Sequence, residues 1–132
     1  KKKPVNVRSG PTKDNDVKWV FTRADLPVEI IAEYDNWRRI RDSDGAEGWV
    51  LHSLLAGRRT ALISAPAKAV DDFVALRAAA DKQSEVTARV QSGVIGTVKR
   101  CAGNWCRITG PGFDGWIEQE RLWGVYPGET VD

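Results

Sequence analysis

Few side chains in this sequence are of types that could do covalent chemistry. Cys101 and Cys106 bracket the stretch Ala102-Gly103-Asn104-Trp105, and the one histidine, His52, stands far from them along the chain. A cysteine hydrolase would need one of those sulfurs as a free thiolate beside the imidazole. Otherwise the two cysteines meet across a tight turn between adjacent strands as a disulfide. Two free core thiols and a metal site are the remaining readings, although one histidine and two cysteines do not complete a four-ligand zinc site. The other candidates stack instead of reacting. Trp37 and Trp105 each follow an asparagine and precede an isoleucine by three places, and Trp49 and Trp116 each follow a glycine. No phosphate-cradling glycine loop, HExxH helix or nucleophile elbow occurs. Asp42, Asp44, Glu47, Asp114, Glu118 and Glu120 fall in turns and strand ends, where solvation accounts for them. No catalytic residue, metal or cofactor is expected.

The tryptophans lead to the elements that must carry them, because they come in pairs. Arg8 with Arg77, Trp37 with Trp105 and Trp49 with Trp116 lie 69, 68 and 67 residues apart, the drift that single deletions in surface turns leave in a duplicated unit. In the first copy the alternation of apolar and polar residues predicts strands over 5–9, 17–21, 26–30, 37–41 and 48–51, with turn residues between them. One tight helical turn over 52–55 and a last strand over 58–63 follow. The second copy repeats this from 74–78 through 86–90, 94–100, 105–109 and 115–117, with the tight turn at 121–123. Residues 67–80 are alanine-rich and favour a helix by propensity, but the repeat places 74–78 in the register of 5–9, which predicts a strand there. The reading is thus all-β: a first module over 1–63, a linker over 64–72, a second module over 73–128 and a frayed tail over 129–132. Two aromatics near the C-terminus are expected to cap the second module.

Each copy, at about 60 residues, is near the lower limit for an independent core, so contact between the modules is expected to help both. A net charge of +2 with both signs interspersed gives little attraction for nucleic acid. No apolar run reaches the ~20 residues that would span a bilayer, so no membrane insertion is expected. The sequence contains no methionine, which suggests that it begins after an initiator or a removed signal peptide.

Strand, polar loop, strand, turn, Trp-x-x-Ile, glycine turn, Gly-Trp-Val and a one-turn helix together resemble a bacterial SH3 domain. VNVRSGP, NWRRI and EGWV in the first copy, and GNWCRI, DGWI and RLWGVYPGE in the second, are similar to exported SH3-like proteins of Gram-negative bacteria. The resemblance implies two tandem SH3-like small β-barrels joined by a short linker. It makes Ile40, Val50, Ile108 and Ile117 core, Trp49 and Trp116 half-buried, and Trp37 and Trp105 ligand-facing. Strand alternation agrees: if Ile40 and Ile108 point inward, Trp37 and Arg39, and Trp105 and Arg107, point outward. The acidic-aromatic segment of signalling SH3 domains is replaced by VNVRSGP, which argues against polyproline recognition.

The resemblance further implies a non-catalytic binding module of the cell envelope that recognises peptidoglycan peptides or an envelope protein. The contacts would come from Trp37, Tyr34, Arg39, Trp49, Trp105 and Arg107. A targeting or assembly scaffold for a separate envelope enzyme is the alternative, and a Cys-dependent hydrolase the third reading. The repeat also bears on the cysteines. It sets Cys101 over Glu33 and Cys106 over Arg38, an opposite-charge pair suited to cross-strand neighbours, provided that a bulge lies between Ile30 and Glu33. A disulfide places the chain in an oxidising compartment, the periplasm or cell surface of a bacterium.

Overall fold

A computed structural model describes residues 4–66 and 71–132. Strands and two short 3-10 turns are its regular elements, and the chain divides into two units, Lys1–Gly57 and Arg58–Asp132.

The first unit is one five-stranded sheet. Its strands are β1 (Val5–Arg8), β2 (Val17–Phe21), β3 (Glu29–Tyr34), β4 (Trp37–Arg41) and β5 (Glu47–Leu51), followed by a 3-10 turn at His52–Leu54. Their order across the sheet is β2-β1-β5-β4-β3, every neighbour antiparallel. Short strands joined by tight turns pair this way because antiparallel neighbours need no long crossover. Val7, Ile40 and Val50 alternate inward to form the core, with Val5, Trp19, Phe21, Val28 and Leu55 packed against them.

The second unit repeats that order and adds to it. It begins with β6 (Thr60–Ile63) and continues with β7 (Phe73–Arg77), β8 (Val86–Gln91), β9 (Ile95–Ala102), β10 (Trp105–Gly110) and β11 (Phe113–Glu118). A 3-10 turn at Gln119–Arg121 leads to β12 (Leu122–Trp123). The sheet order is β12-β6-β9-β10-β11-β7-β8, so β8-β7-β11-β10-β9 is the counterpart of β2-β1-β5-β4-β3. The duplication is therefore visible strand for strand. Arg8 pairs with Trp49 and Arg77 with Trp116; Arg8 donates to the Asn15 carbonyl and Arg77 to the Ser84 carbonyl, both at 3.0 Å.

Residues 73–77 form a strand, as the repeat predicts over the pull of alanine propensity. Tertiary pairing with β8 and β11 decides it. The middle of the expected linker, 67–70, and the basic start, 1–3, lie outside the described residues. Three expectations are corrected. The strand expected to close the first module, β6, pairs instead with β9 and β12, so the division falls after Gly57 and not after residue 63. Ala61 and Ile63 become part of the second core, at 0% and 1% exposure. The tail over 129–132 is held: Cys101 and Val131 exchange backbone hydrogen bonds of 2.8 and 3.0 Å, and Glu129 pairs with Arg59 at 2.8 Å. Tyr126, expected as a cap, is 58% exposed.

Candidate functional site

The cysteines settle first. Cys101 and Cys106 face each other on β9 and β10 and are joined as a disulfide, with Cα atoms 4.1 Å apart. Both are 0% exposed. In the first unit Glu33 and Arg38 hold the equivalent register positions and form an ion pair at 3.6 Å. The bulge needed to bring them opposite lies between Ile30 and Ala32. A covalent bond in one copy thus stands where a charge pair stands in the other. With both sulfurs bonded to each other, neither supplies a thiolate for a hydrolase. His52 is exposed; its backbone N–H donates to the Asn36 carbonyl at 2.7 Å, as Gln119 does to Asn104 at 2.8 Å.

On the outer face of the first sheet, directly opposed residues share a side. Tyr34, Trp37 and Leu51 make one rung, and Arg39 and Trp49 belong to the next. Tyr34 is 60% exposed, whereas Trp37 keeps only 9%, against the expectation of an accessible indole. Trp37 sits on a central strand between Tyr34 and Leu51, where its counterpart Trp105 has Ala102 and Glu118. Trp49 is half-buried. Arg39 is engaged with Glu47 at 2.8 Å, and Arg41 bridges Glu47 and Glu29. The Arg41 hydrogen bond holds the Glu47 carboxyl below its ordinary range.

The second sheet offers an open site. Trp105 is half-buried and lines a groove of ≈ 350 Å³ with Phe73, a residue 39% exposed. Arg77 and Lys82 bring positive charge to its walls, and Glu118 and Glu120 bring negative charge. Lys82 lies 3.6 Å from Glu118 and Arg121 lies 3.5 Å from Glu120. Solvated pairs this loose exchange partners at little cost. Glu118 and Glu120 also line an adjoining groove of ≈ 570 Å³ with Asn104, Leu122, Val125 and Pro127. Arg107 is not in either groove. It lies on the face of Trp105 but makes two hydrogen bonds, of 2.9 and 2.8 Å, with Asp114; these hold the Asp114 carboxyl below its ordinary value.

Of the six candidate residues, Trp105 lines a groove with other recognition groups. Tyr34 is open, Trp37 covered, Trp49 half-buried, and Arg39 and Arg107 tied up in ion pairs. Phe73, Lys82, Glu118 and Glu120 were missed as partners of Trp105. A signal for Phe73 exists in the repeat, since at the spacing of Arg8 and Arg77 it falls on Pro4, a difference between otherwise matched copies. A family model described as a bacterial SH3 domain matches the chain twice, over residues 1–57 and 70–124. No curated protein matches it.

Proposed function

The chain belongs to the bacterial SH3 family twice over, and on that premise we propose that it is a non-catalytic binding module of the cell envelope whose ligand is the peptide portion of peptidoglycan. The observation that carries this reading is the groove in the second unit, where two aromatic rings, Trp105 and Phe73, stand among side chains of both charges. A cell-wall stem peptide carries carboxylates, an ammonium group and short aliphatic side chains. Lys82 and Arg77 suit the first, Glu118 and Glu120 the second, and the indole the third. The disulfide agrees with an oxidising compartment, the periplasm or cell surface. Trp105 is the principal contact of this proposal in the second unit, with Arg107 on the same face of its strand; Tyr34, Trp37, Arg39 and Trp49 are the separate candidate contacts of the first unit.

Sedimentation with purified cell-wall sacculi tests it. The full chain is expected in the pellet, and Trp105→Ala in the supernatant, while Trp37→Ala keeps most of its binding because that indole is already covered. A chain that stays in the supernatant, yet alters the activity of a co-purifying envelope enzyme, would establish the assembly-scaffold reading instead. Retention unaffected by Trp105→Ala would remove the groove from the account.

A further inference from the structure

The Cys101–Cys106 bond is enclosed at a place where its counterpart is open. Cys106 and Arg38 each stand two residues before the core isoleucine of their strand, Ile108 and Ile40, so both cross-strand pairs point to the core side beside a hairpin turn. The side chain of Glu33 is 69% exposed and that of Arg38 16%, while both cysteines are 0% exposed. A returning segment makes the difference. In the first unit the chain passes from its 3-10 turn to β6. After β12 it turns back instead, bridges Cys101 with Val131, and packs Val131 against the cluster that holds both cysteines.

Residues 124–131 are held at several points. Arg59 donates to the Gly124 carbonyl at 2.9 Å and to both Glu129 carboxylate oxygens at 2.8 and 3.1 Å. That carboxylate also accepts from the Tyr126 N–H at 2.9 Å. Gln119, a polar side chain only 7% exposed, accepts from the Gly128 N–H at 2.7 Å and donates to the Glu129 carbonyl at 3.2 Å. Its amide nitrogen stands 3.9 Å from Cys106 Sγ. None of the residues 124–131 is itself fully buried, so polar bonds hold the segment more than packing does. A segment with so little apolar burial opens locally while the core beneath it stays folded.

We propose that residues 124–131 are a strap that governs thiol exchange at the Cys101–Cys106 bond: a reductant reaches the sulfurs only when the strap lifts, and the Arg59–Glu129 pair sets how often it lifts. Exchange needs direct approach of a thiolate to one sulfur, which the closed strap denies. With an external dithiol the reaction has two steps. One thiolate of the reductant attacks Sγ of Cys101 or Cys106, a mixed disulfide forms, and the other cysteine leaves as a thiolate. The second thiol of the reductant then displaces the remaining cysteine. Two electrons and two protons pass to the chain, which gains two thiols, and the reductant becomes a disulfide. Val125, Pro127 and Gly128 of the strap also line the ≈ 570 Å³ groove, so lifting it removes part of that groove's wall.

The test incubates the full oxidised chain with dithiothreitol under native conditions, traps new thiols with iodoacetamide and counts them by mass. Glu129→Gln is expected to speed reduction about tenfold, as loss of a charge-assisted hydrogen bond shifts an opening equilibrium. Asp71→Asn breaks the ion pair with Arg89 of β8, at the opposite edge of the sheet, and is expected to leave the rate within about twofold. Amide hydrogen exchange separates lifting from unfolding. In Glu129→Gln the Cys101 amide, which donates to the Val131 carbonyl, is expected to exchange about tenfold faster, with the core amide of Ile108 unchanged. A reduction rate unaffected by Glu129→Gln overturns the proposal. Equal acceleration at Ile108 and Cys101 also overturns it, in favour of entry through unfolding of the whole unit. Equal acceleration of reduction by Asp71→Asn overturns it in favour of a general loss of stability.

Discussion

Cys101–Cys106 and Glu33–Arg38 occupy the same register in the two copies, so they compare a covalent link with a charge pair in one backbone setting. Closing a loop of about six residues is worth about 2 kcal/mol in the chain-entropy account, and an exposed ion pair ~0.2–1 kcal/mol. Cys101→Ser with Cys106→Ser is therefore expected to lower the stability of the second unit by about 2 kcal/mol in urea titration, and Glu33→Ala that of the first by under ~1 kcal/mol. Equal losses would mean that the disulfide adds no constraint beyond the turn itself. Glu129 carries the other residue-scale prediction. Its hydrogen bond from Arg59 holds the carboxyl below the ordinary value of 4.5, against the opposing effect of burial. A group depressed by folding stabilises the fold fully above that ordinary value and loses its contribution as pH falls through the lower folded value. The Val131 amide, bonded to Cys101, should accordingly move toward its unfolded shift as pH falls below 4.5. Glu129→Gln should remove that pH dependence.

Among the elements, the Gly-Trp pairs show why a short motif recurs. A Cβ on Gly48 would stand 2.4 Å from Val7 Cγ1 and 3.1 Å from the Arg8 carbonyl; on Gly115, 2.9 Å from Leu76 Cβ and 3.0 Å from the Arg77 carbonyl. The glycine lets β1 and β7 approach β5 and β11 closely enough to seat Val7 and Leu76 in their cores. Gly48→Ala and Gly115→Ala should each cost about 1–3 kcal/mol, the range for overpacking a filled site. An unchanged urea midpoint for either would show that the strands can part freely. The turns are matched as closely: Asp35 takes φ 54° where Gly103 takes 61°, and Asp25 takes 65° where Gly93 takes 89°. Aspartate is among the few residues that enter this region at modest cost, and the copies thus share a backbone through different residue types. At this scale the sequence was legible. Most of the strands, the Glu33–Arg38 pairing, the bulge before it and the strand over the alanine-rich stretch come from period-two alternation read against a second copy, whereas the strand expected over 26–30 runs Glu29–Tyr34 and the tight turn expected at 121–123 is a 3-10 turn at Gln119–Arg121 followed by a strand at Leu122–Trp123.

For the whole molecule, the unequal cores matter most. Among the described residues the first unit buries a cluster of Val7, Ile40 and Val50, while the second buries eleven residues, two of them from β6. A fragment beginning at Arg58 is expected to fold as the second unit does in the full chain. One beginning at Ser64 should lose cooperative unfolding, since it lacks Ala61, Ile63 and the strand between β9 and β12. If the Ser64 fragment is as stable as the longer one, β6 is dispensable and the division belongs after residue 63. Duplication, strand type, the disulfide partners and the family were all present in local pattern, because side-chain alternation and turn chemistry act over a few residues and two copies cross-check each other. The owner of β6 and the accessibility of each indole were not. Both depend on tertiary packing: an edge strand goes to whichever sheet offers unpaired backbone and apolar cover, and a tryptophan is open or covered according to what packs against it. Tertiary packing gave β6 to the second unit, covered Trp37 and left Trp105 in a groove.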